Sequence, residues 1–306
     1  MVGMGHDHAQ GTTNRRRLAV ALAITGTVLV AEVVGAAMTG SLALLVDAAH
    51  MLTDSLGLVV ALLAAHLMTR PASSRRTWGW QRAEVIAAAA QAAVLLGVGC
   101  YAVVEAVQRL VTPPQITSGG LAAVGALGLV ANIASLAVLA GGRGHNLNMR
   151  AAFLEVANDA LGSVAVLVAA AVIAWTGWMQ ADAVAGLFVA ALILPRAVAL
   201  LRTSGTILLE ATPAGLDLDR VREHMAAQPH VRDVHDLHAS TVASGLPVLT
   251  AHIVLDEGCF RDGHCLVILQ ALQSCLGQHH EVAIEHCTIQ LESESIGRGH
   301  REHLHA

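Results

Sequence analysis

Six stretches of this 306-residue chain are long and apolar enough to cross a bilayer, and that feature limits what it can fold into more than any other. They cover about residues 17–39, 42–67, 83–110, 119–140, 151–176 and 182–203. Each meets the requirement of roughly 20 mostly apolar residues for a helix that spans the hydrocarbon core. Lipid offers no hydrogen bonds to a backbone, so these stretches are expected to be helices. Turn residues separate them: Thr39-Gly40-Ser41, Arg70-Pro71, Pro113-Pro114, Gly141-Gly142 and Thr176-Gly177. Charged residues make up only 13% of the chain, against roughly 25% in soluble domains. That deficit excludes a soluble globular protein.

Arginine placement predicts the orientation. All 18 basic residues are arginine. Arg15, Arg16 and Arg17 precede the first span, Arg70, Arg75, Arg76 and Arg82 lie between spans two and three, Arg143 and Arg150 between four and five, and Arg202 closes span six. The alternate loops, 39–41, 111–118 and 177–181, carry none. By the positive-inside rule both termini are expected in the cytoplasm. The polar start followed by a long apolar run does not read as a cleavable signal peptide.

Twelve of the 17 histidines follow Gly205, which points to a soluble tail behind the membrane part. Of the five cysteines, Cys100, Cys259, Cys265, Cys275 and Cys287, four fall in that tail without CxxC spacing, as expected of reduced thiols. The chain therefore divides into a His-bearing N-terminal tail (1–16), a six-helix transmembrane domain (17–204), a soluble α+β domain (207–292) and a His-rich C-terminal tail (293–306).

Polar residues inside the spans carry the functional signal. A charged side chain at mid-membrane costs roughly 2.5–3.5 kcal/mol on insertion scales. Span two places His50 and Asp54 at i and i+4, one helix face, with Asp47 three residues before His50. Span five places Glu155 and Asp159 at the same spacing, with Asn158 between them. Five such groups unpaired would cost on the order of 10 kcal/mol. Two i, i+4 pairs on packed helices can instead supply four ligands to one tetrahedral divalent ion. A metal-free proton relay is the competing reading. Glu32, Gln91, Glu105 and Asn132 are expected to be interhelical hydrogen-bond partners before they are ligands, and His66 to lie at the interface.

The run Ser41-Leu-Ala-Leu-Leu-Val-Asp47-Ala-Ala-His50-Met-Leu-Thr-Asp54 resembles span two of the cation diffusion facilitators, in their bacterial zinc/cadmium/cobalt efflux branch. Trp80-Gln-Arg-Ala-Glu84, Asn158-Asp159-Ala-Leu-Gly-Ser163-Val, Val234-His235-Asp-Leu-His238-Ala and Ser244-Gly-Leu-Pro-Val-Leu-Thr-Ala-His252 fit in the same order, from about residue 15 to 292. The resemblance implies a homodimer in the bacterial inner membrane that exports divalent metal from the cytosol in exchange for protons, by alternating access. It assigns His50, Asp54 and Asp159 as ligands, with Glu155 completing the set. It implies no enzyme and no nucleic-acid partner. The expected cargo is Zn²⁺, with Cd²⁺ and Co²⁺ beside it. A non-transporting membrane metal sensor is the remaining alternative.

Two departures from the family pattern matter. Zinc-selective members carry histidine where this chain has Glu155, and one imidazole with three carboxylates is a harder donor set. Oxygen ligands broaden tolerance toward manganese or ferrous iron. The loop between spans two and three, residues 70–80, holds no His, Asp or Cys, so an ion bound there by some members is not expected. His50 is the natural coupling group, since an imidazole's ordinary pKa of about 6.5 lets proton and metal compete.

The tail reads as helix (217–227), strand (231–243), strand (246–256), helix (262–277) and strand (281–291), an αββαβ order suited to a ferredoxin-like domain. Ser244-Gly245 is the expected hairpin turn, pairing Ala243 with Leu246 and His235 with Val254. His252 then lies diagonally from His235, roughly 7–8 Å away. His235, His252, His286, His264 and Cys287 are the candidate ligands for a regulatory Zn²⁺. His6, His8, His300, His303 and His305 in the two tails are expected to lack structure.

Overall fold

A computed structural model describes residues 7–140, 147–278, 282–284 and 286–304, so His6, Arg143 and His305 lie outside it. Among the described residues the apolar stretches form α1 (Asp7–Thr39), α2 (Leu42–Met68), α3 (Ala83–Val111), α4 (Ser118–Ala140), α5 (Leu147–Thr176) and α6 (Gln180–Leu208). Five of these, α2 to α6, are long and apolar enough to cross a membrane. In α1 the apolar part is Ala23–Thr39. The sequence boundaries hold within a few residues except at α1, whose helix runs ten residues further toward the N-terminus.

The chain forms two compact units, residues 1–60 with 90–200 and residues 61–89 with 201–306. In the first, α4 packs against α1 and α5. Small residues permit the approach: a Cβ on Gly125 of α4 would lie 2.8 Å from the Val166 side chain of α5. Leu121 of α4 and Val166 and Ile173 of α5 belong to one buried core with Leu44 of α2.

The start of α2, which carries the candidate ligands, is held from α6. The fully buried carboxylate of Asp182 accepts hydrogen bonds from the Ser41 hydroxyl and from the backbone N–H of Leu42 (2.6 Å). It thereby satisfies N–H groups that a helix start leaves unpaired. Arg109 lies 4.0 Å from the same carboxylate, pairs with Glu105 at 2.9 Å and donates to the Gly40 carbonyl at 2.6 Å. This pairing accounts for an arginine at the arginine-poor end of α3. Asp182→Ala would strand these donors, and breaking a buried pair costs about 3–5 kcal/mol. The expected result is a clearly lower unfolding temperature of the detergent-solubilised chain, partly recovered in Asp182→Asn.

The second unit contains α7 (Leu218–Ala226), β1 (Val231–Ala243), β2 (Leu246–Leu255), α8 (Cys259–Asp262), α9 (Cys265–Gln278), β3 (His286–Glu292) and α10 (Glu294–Leu304). Asp217 caps α7 by accepting from the N–H groups of Asp219 and Arg220, both at 3.1 Å. The sheet order is β1-β2-β3, with β1 antiparallel and β3 parallel to the central strand. Val221, Met225, Leu249, Ile253, Leu272 and Leu276 form the core between sheet and helices. Gly245, at φ +74°, turns the hairpin, and Ala243 pairs with Leu246 as expected.

Two expectations for this unit are corrected. Irregularities between His235 and His238 and between Thr241 and Ala243 shift the register, so His235 pairs directly with His252 and Asp233 takes Val254. Asp236, at φ +47°, sits within the first of these bulges. The C-terminal run is helical over Glu294–Leu304 despite Gly297 and Gly299, supported by an i, i+4 pair between Arg298 and Glu294 at 3.2 Å.

Candidate metal sites

The i, i+4 spacing on α2 brings His50 Nε2 to 3.5 Å from Asp54 Oδ2, and the facing helix α5 brings Asp159 Oδ1 to 3.9 Å from the same nitrogen. Ligand atoms about 2.0–2.1 Å from a tetrahedral ion lie about 3.3 Å apart. The two His50 contacts are slightly wider than that, and among the described residues these three donors do not all lie within 4.8 Å of one another. His50 and Asp159 are buried, and His50 Nδ1 has no hydrogen-bond partner. Asp47 and Asn158 line the same cavity of about 10 Å³, room for roughly one water-sized body.

Glu155 shares a side-chain hydrogen bond with Asp54 and also reaches across to α6. Its Oε1 lies 3.4 Å from a guanidinium nitrogen of Arg196, on α6 just after Pro195. The other guanidinium nitrogen lies 3.7 Å from Asp54 Oδ2. At the sequence level Arg196 is merely an arginine inside span six, although its mid-membrane cost is itself the signal that could have marked it. Gln91 of α3 donates to Asp54 Oδ1 at 3.4 Å.

The remaining intramembrane polar residues are accounted for separately. Glu105 pairs with Arg109, Asn132 donates to the Ser163 hydroxyl at 3.3 Å, and buried Glu32 shares a side-chain hydrogen bond with Asp47. His66 is exposed in the last turn of α2.

The second unit holds a tighter cluster. Among the described residues, His235, His252 and Glu292 are the group of three whose ligand atoms all lie within 4.8 Å of one another. Glu292 reaches His235 Nε2 at 3.1 Å and His252 Nδ1 at 2.8 Å, and the two rings lie edge to face at 5.3 Å. The β1 bulge that shifts the register is what places the rings opposite each other. His235 Nδ1 is buried without a partner. Two imidazoles and a carboxylate suit zinc, so the donor set fits a bound ion.

Asp236 lies 3.6 Å from His252 Nε2, its carboxyl held below the usual aspartate range chiefly by the hydrogen bond from His238. Glu292 carries no signal in the sequence apart from its place at the end of the last strand. The parallel pairing of β3 to β2 sets Val254 against Glu292 and His252 against Gln290, which brings the carboxylate to the histidines.

The other candidates lie elsewhere in this unit. His286 sits at the far end of β3 with its ring 4.8 Å from Trp78 of the α2–α3 loop. That loop serves as a packing element, with Arg76 over the Trp80 ring and Arg82 paired to Glu210 at 2.6 Å. His264 is exposed, paired to Asp262 at 2.9 Å and stacked on His230. Cys287 packs against the core, where burial pushes its thiol up and away from the thiolate a metal needs.

Gly297 of α10 covers the cluster. A Cβ there would lie 2.7 Å from Val254 and 3.3 Å from Glu292 Oε2. Gly297→Val is expected to destabilise the folded chain by about 1–3 kcal/mol, the usual range for overpacking. It should also weaken zinc retention by the cluster, both read by thermal unfolding with and without zinc.

An apolar bundle with an imidazole–carboxylate cluster buried between its helices, followed by a soluble α+β domain, is the build of a membrane carrier for cations. The chain belongs to the cation efflux family, the cation diffusion facilitators. Residues 18–209 match the cation efflux transmembrane domain and residues 213–294 the cation efflux protein cytoplasmic domain.

Full-length relatives agree. The chain is 43% identical over 291 residues to the metal cation efflux system protein CzcD of Cupriavidus metallidurans, covering 95% of this chain and 90% of that one. It is 39% identical over 297 residues to the zinc transporter ZitB of Escherichia coli (94% and 93% covered). It is 35% identical over 297 residues to the cadmium, cobalt and zinc/H(+)-K(+) antiporter of Bacillus subtilis (95% and 93%). Among solved structures, the metal-bound C-terminal domain of the CzcD transporter matches with 34% identity and a TM-score of 0.22, over 25% of this chain and 99% of that one. The chain is thus a multi-pass membrane transporter with a cytoplasmic C-terminal domain, as expected from the sequence, and not an enzyme.

Proposed function

We propose that this chain exports Zn²⁺, with Cd²⁺ and Co²⁺ as further cargo, from the cytosol of a bacterium across its inner membrane in exchange for protons. His50, Asp54, Glu155 and Asp159 form the transport site. The observation that carries this reading is the approach of His50 on α2 to Asp159 on α5, two helices contributing to one buried cluster. The chain's likeness to the zinc transporter ZitB and to the cadmium, cobalt and zinc/H(+)-K(+) antiporter of Bacillus subtilis supports the choice of metals, and the latter supports proton exchange. Both termini face the cytoplasm, and the cytoplasmic domains pair two chains into a homodimer.

In this reading each residue has a distinct task. His50 binds metal as a neutral imidazole and takes a proton when the metal leaves. Asp54 and Asp159 supply charge from the two helices, and Glu155 supplies the fourth donor. Asp47 and Asn158 border the site without completing it. His235, His252 and Glu292 would hold a resident Zn²⁺ in the cytoplasmic domain, where it would offset the close approach of these groups.

Proteoliposomes with an imposed pH gradient test the proposal: zinc accumulates while the gradient lasts, and collapsing it with an ionophore stops accumulation. Zinc binding without gradient-driven movement would instead favour a membrane metal sensor. Glu155 favours a second reading of the cargo, in which manganese or ferrous iron is also carried.

A further inference from the structure

The transport site proposed above concentrates Asp54, Glu155 and Asp159 around one imidazole inside a membrane bundle. Carboxylates so placed repel one another and lack the water that would screen them. Opposite them stands Arg196, whose guanidinium spans two of the three, 3.7 Å from Asp54 and 3.4 Å from Glu155. An arginine in the interior of α6 is itself costly, so the pairing relieves both partners. The geometry has a second consequence. Glu155, hydrogen-bonded to Asp54, shares Arg196 with it. The guanidinium fork engages the carboxylates that a metal would need.

We propose that Arg196 is a built-in counter-cation of the transport site, occupying Asp54 and Glu155 when the metal is absent and displaced when it binds. The inference rests on the assignment of these residues to the transport site. Displacement of a guanidinium moves a side chain and no proton, so this competition differs from proton coupling at His50. Its side chain is 45% exposed, which leaves room for it to swing out of the site. The competition lowers metal affinity and speeds release. It also pairs residue with residue: glutamate at position 155 has a partner on α6 that a histidine there would not have. Arg196 is therefore an affinity-setting residue matched to Glu155.

The test is zinc affinity of the purified full-length chain, measured by chelator competition in a Glu292→Ala background that silences the cytoplasmic cluster. Arg196→Gln is expected to tighten zinc binding about tenfold, the scale of one partly desolvated ion pair, and to slow release in stopped flow. Arg196→Lys, which keeps the charge but loses the fork, falls between. In a Glu155→His background the effect of Arg196→Gln shrinks to about threefold, because one of two partners is gone. Unchanged or weakened affinity in Arg196→Gln overturns the inference. Asp159→Ala separates the two levels. If it removes zinc binding while Arg196→Gln changes nothing, the counter-cation role fails and the site stands. If Asp159→Ala leaves binding intact, the site assignment itself fails.

Discussion

Asp159→Ala is expected to bring zinc flux in proteoliposomes down to that of empty vesicles, about a hundredfold or more below the unsubstituted chain. Altering a residue that merely orients a metal ligand typically costs 10–100-fold in affinity or activity, and Asp159 is assigned as a ligand. It is the contribution of α5 that faces His50, at 3.9 Å, and it is buried, so no water replaces the lost charge at low cost. Asp54→Ala should act alike from α2. Glu292→Ala provides the contrast. It removes the carboxylate that joins His235 and His252, so bound zinc drops by one ion per chain while the α2/α5 site persists.

The second large effect is on selectivity. Glu155→His changes one imidazole and three carboxylates into two and two, the softer set that favours zinc over manganese. It also removes one of the two partners of Arg196. The second change relieves competition for either metal alike, so the selectivity shift comes from the donor set. The ratio of zinc to manganese half-saturation should shift toward zinc by about tenfold, roughly 1.4 kcal/mol, when flux is compared across both metals. An unchanged ratio would mean that position 155 does not set breadth.

Much of the molecule is legible in the sequence because membrane helices are specified locally. Long apolar runs and turn residues between them place α2 to α6 within a few residues, and the His50–Asp54 pair is visible as an i, i+4 spacing. The first helix is less legible, since nothing at its polar start stops it and it extends back to Asp7. Features set by tertiary pairing are harder to read. The β1 bulge at Asp236 changes which residue faces His252, and no local pattern announces it. Glu292 joins the histidines only through the parallel register of β3 on β2, a long-range pairing. Arg196 reaches Asp54 and Glu155 from a third helix whose rotation the sequence alone leaves open. His286 and Cys287 have ligand chemistry, but pairing with Trp78 and packing into the core take them elsewhere.

The central claim is that one metal ion is held between α2 and α5 by His50, Asp54, Glu155 and Asp159. X-ray absorption at the zinc edge addresses it most directly, on the full chain loaded with one equivalent of zinc in the Glu292→Ala background. The account predicts a four-coordinate shell with a single imidazole and oxygen donors at about 2.0–2.1 Å, and no sulfur. His50→Ala should remove the imidazole signal. Two or more imidazoles, a sulfur at about 2.3 Å, or a spectrum indifferent to His50→Ala would contradict it.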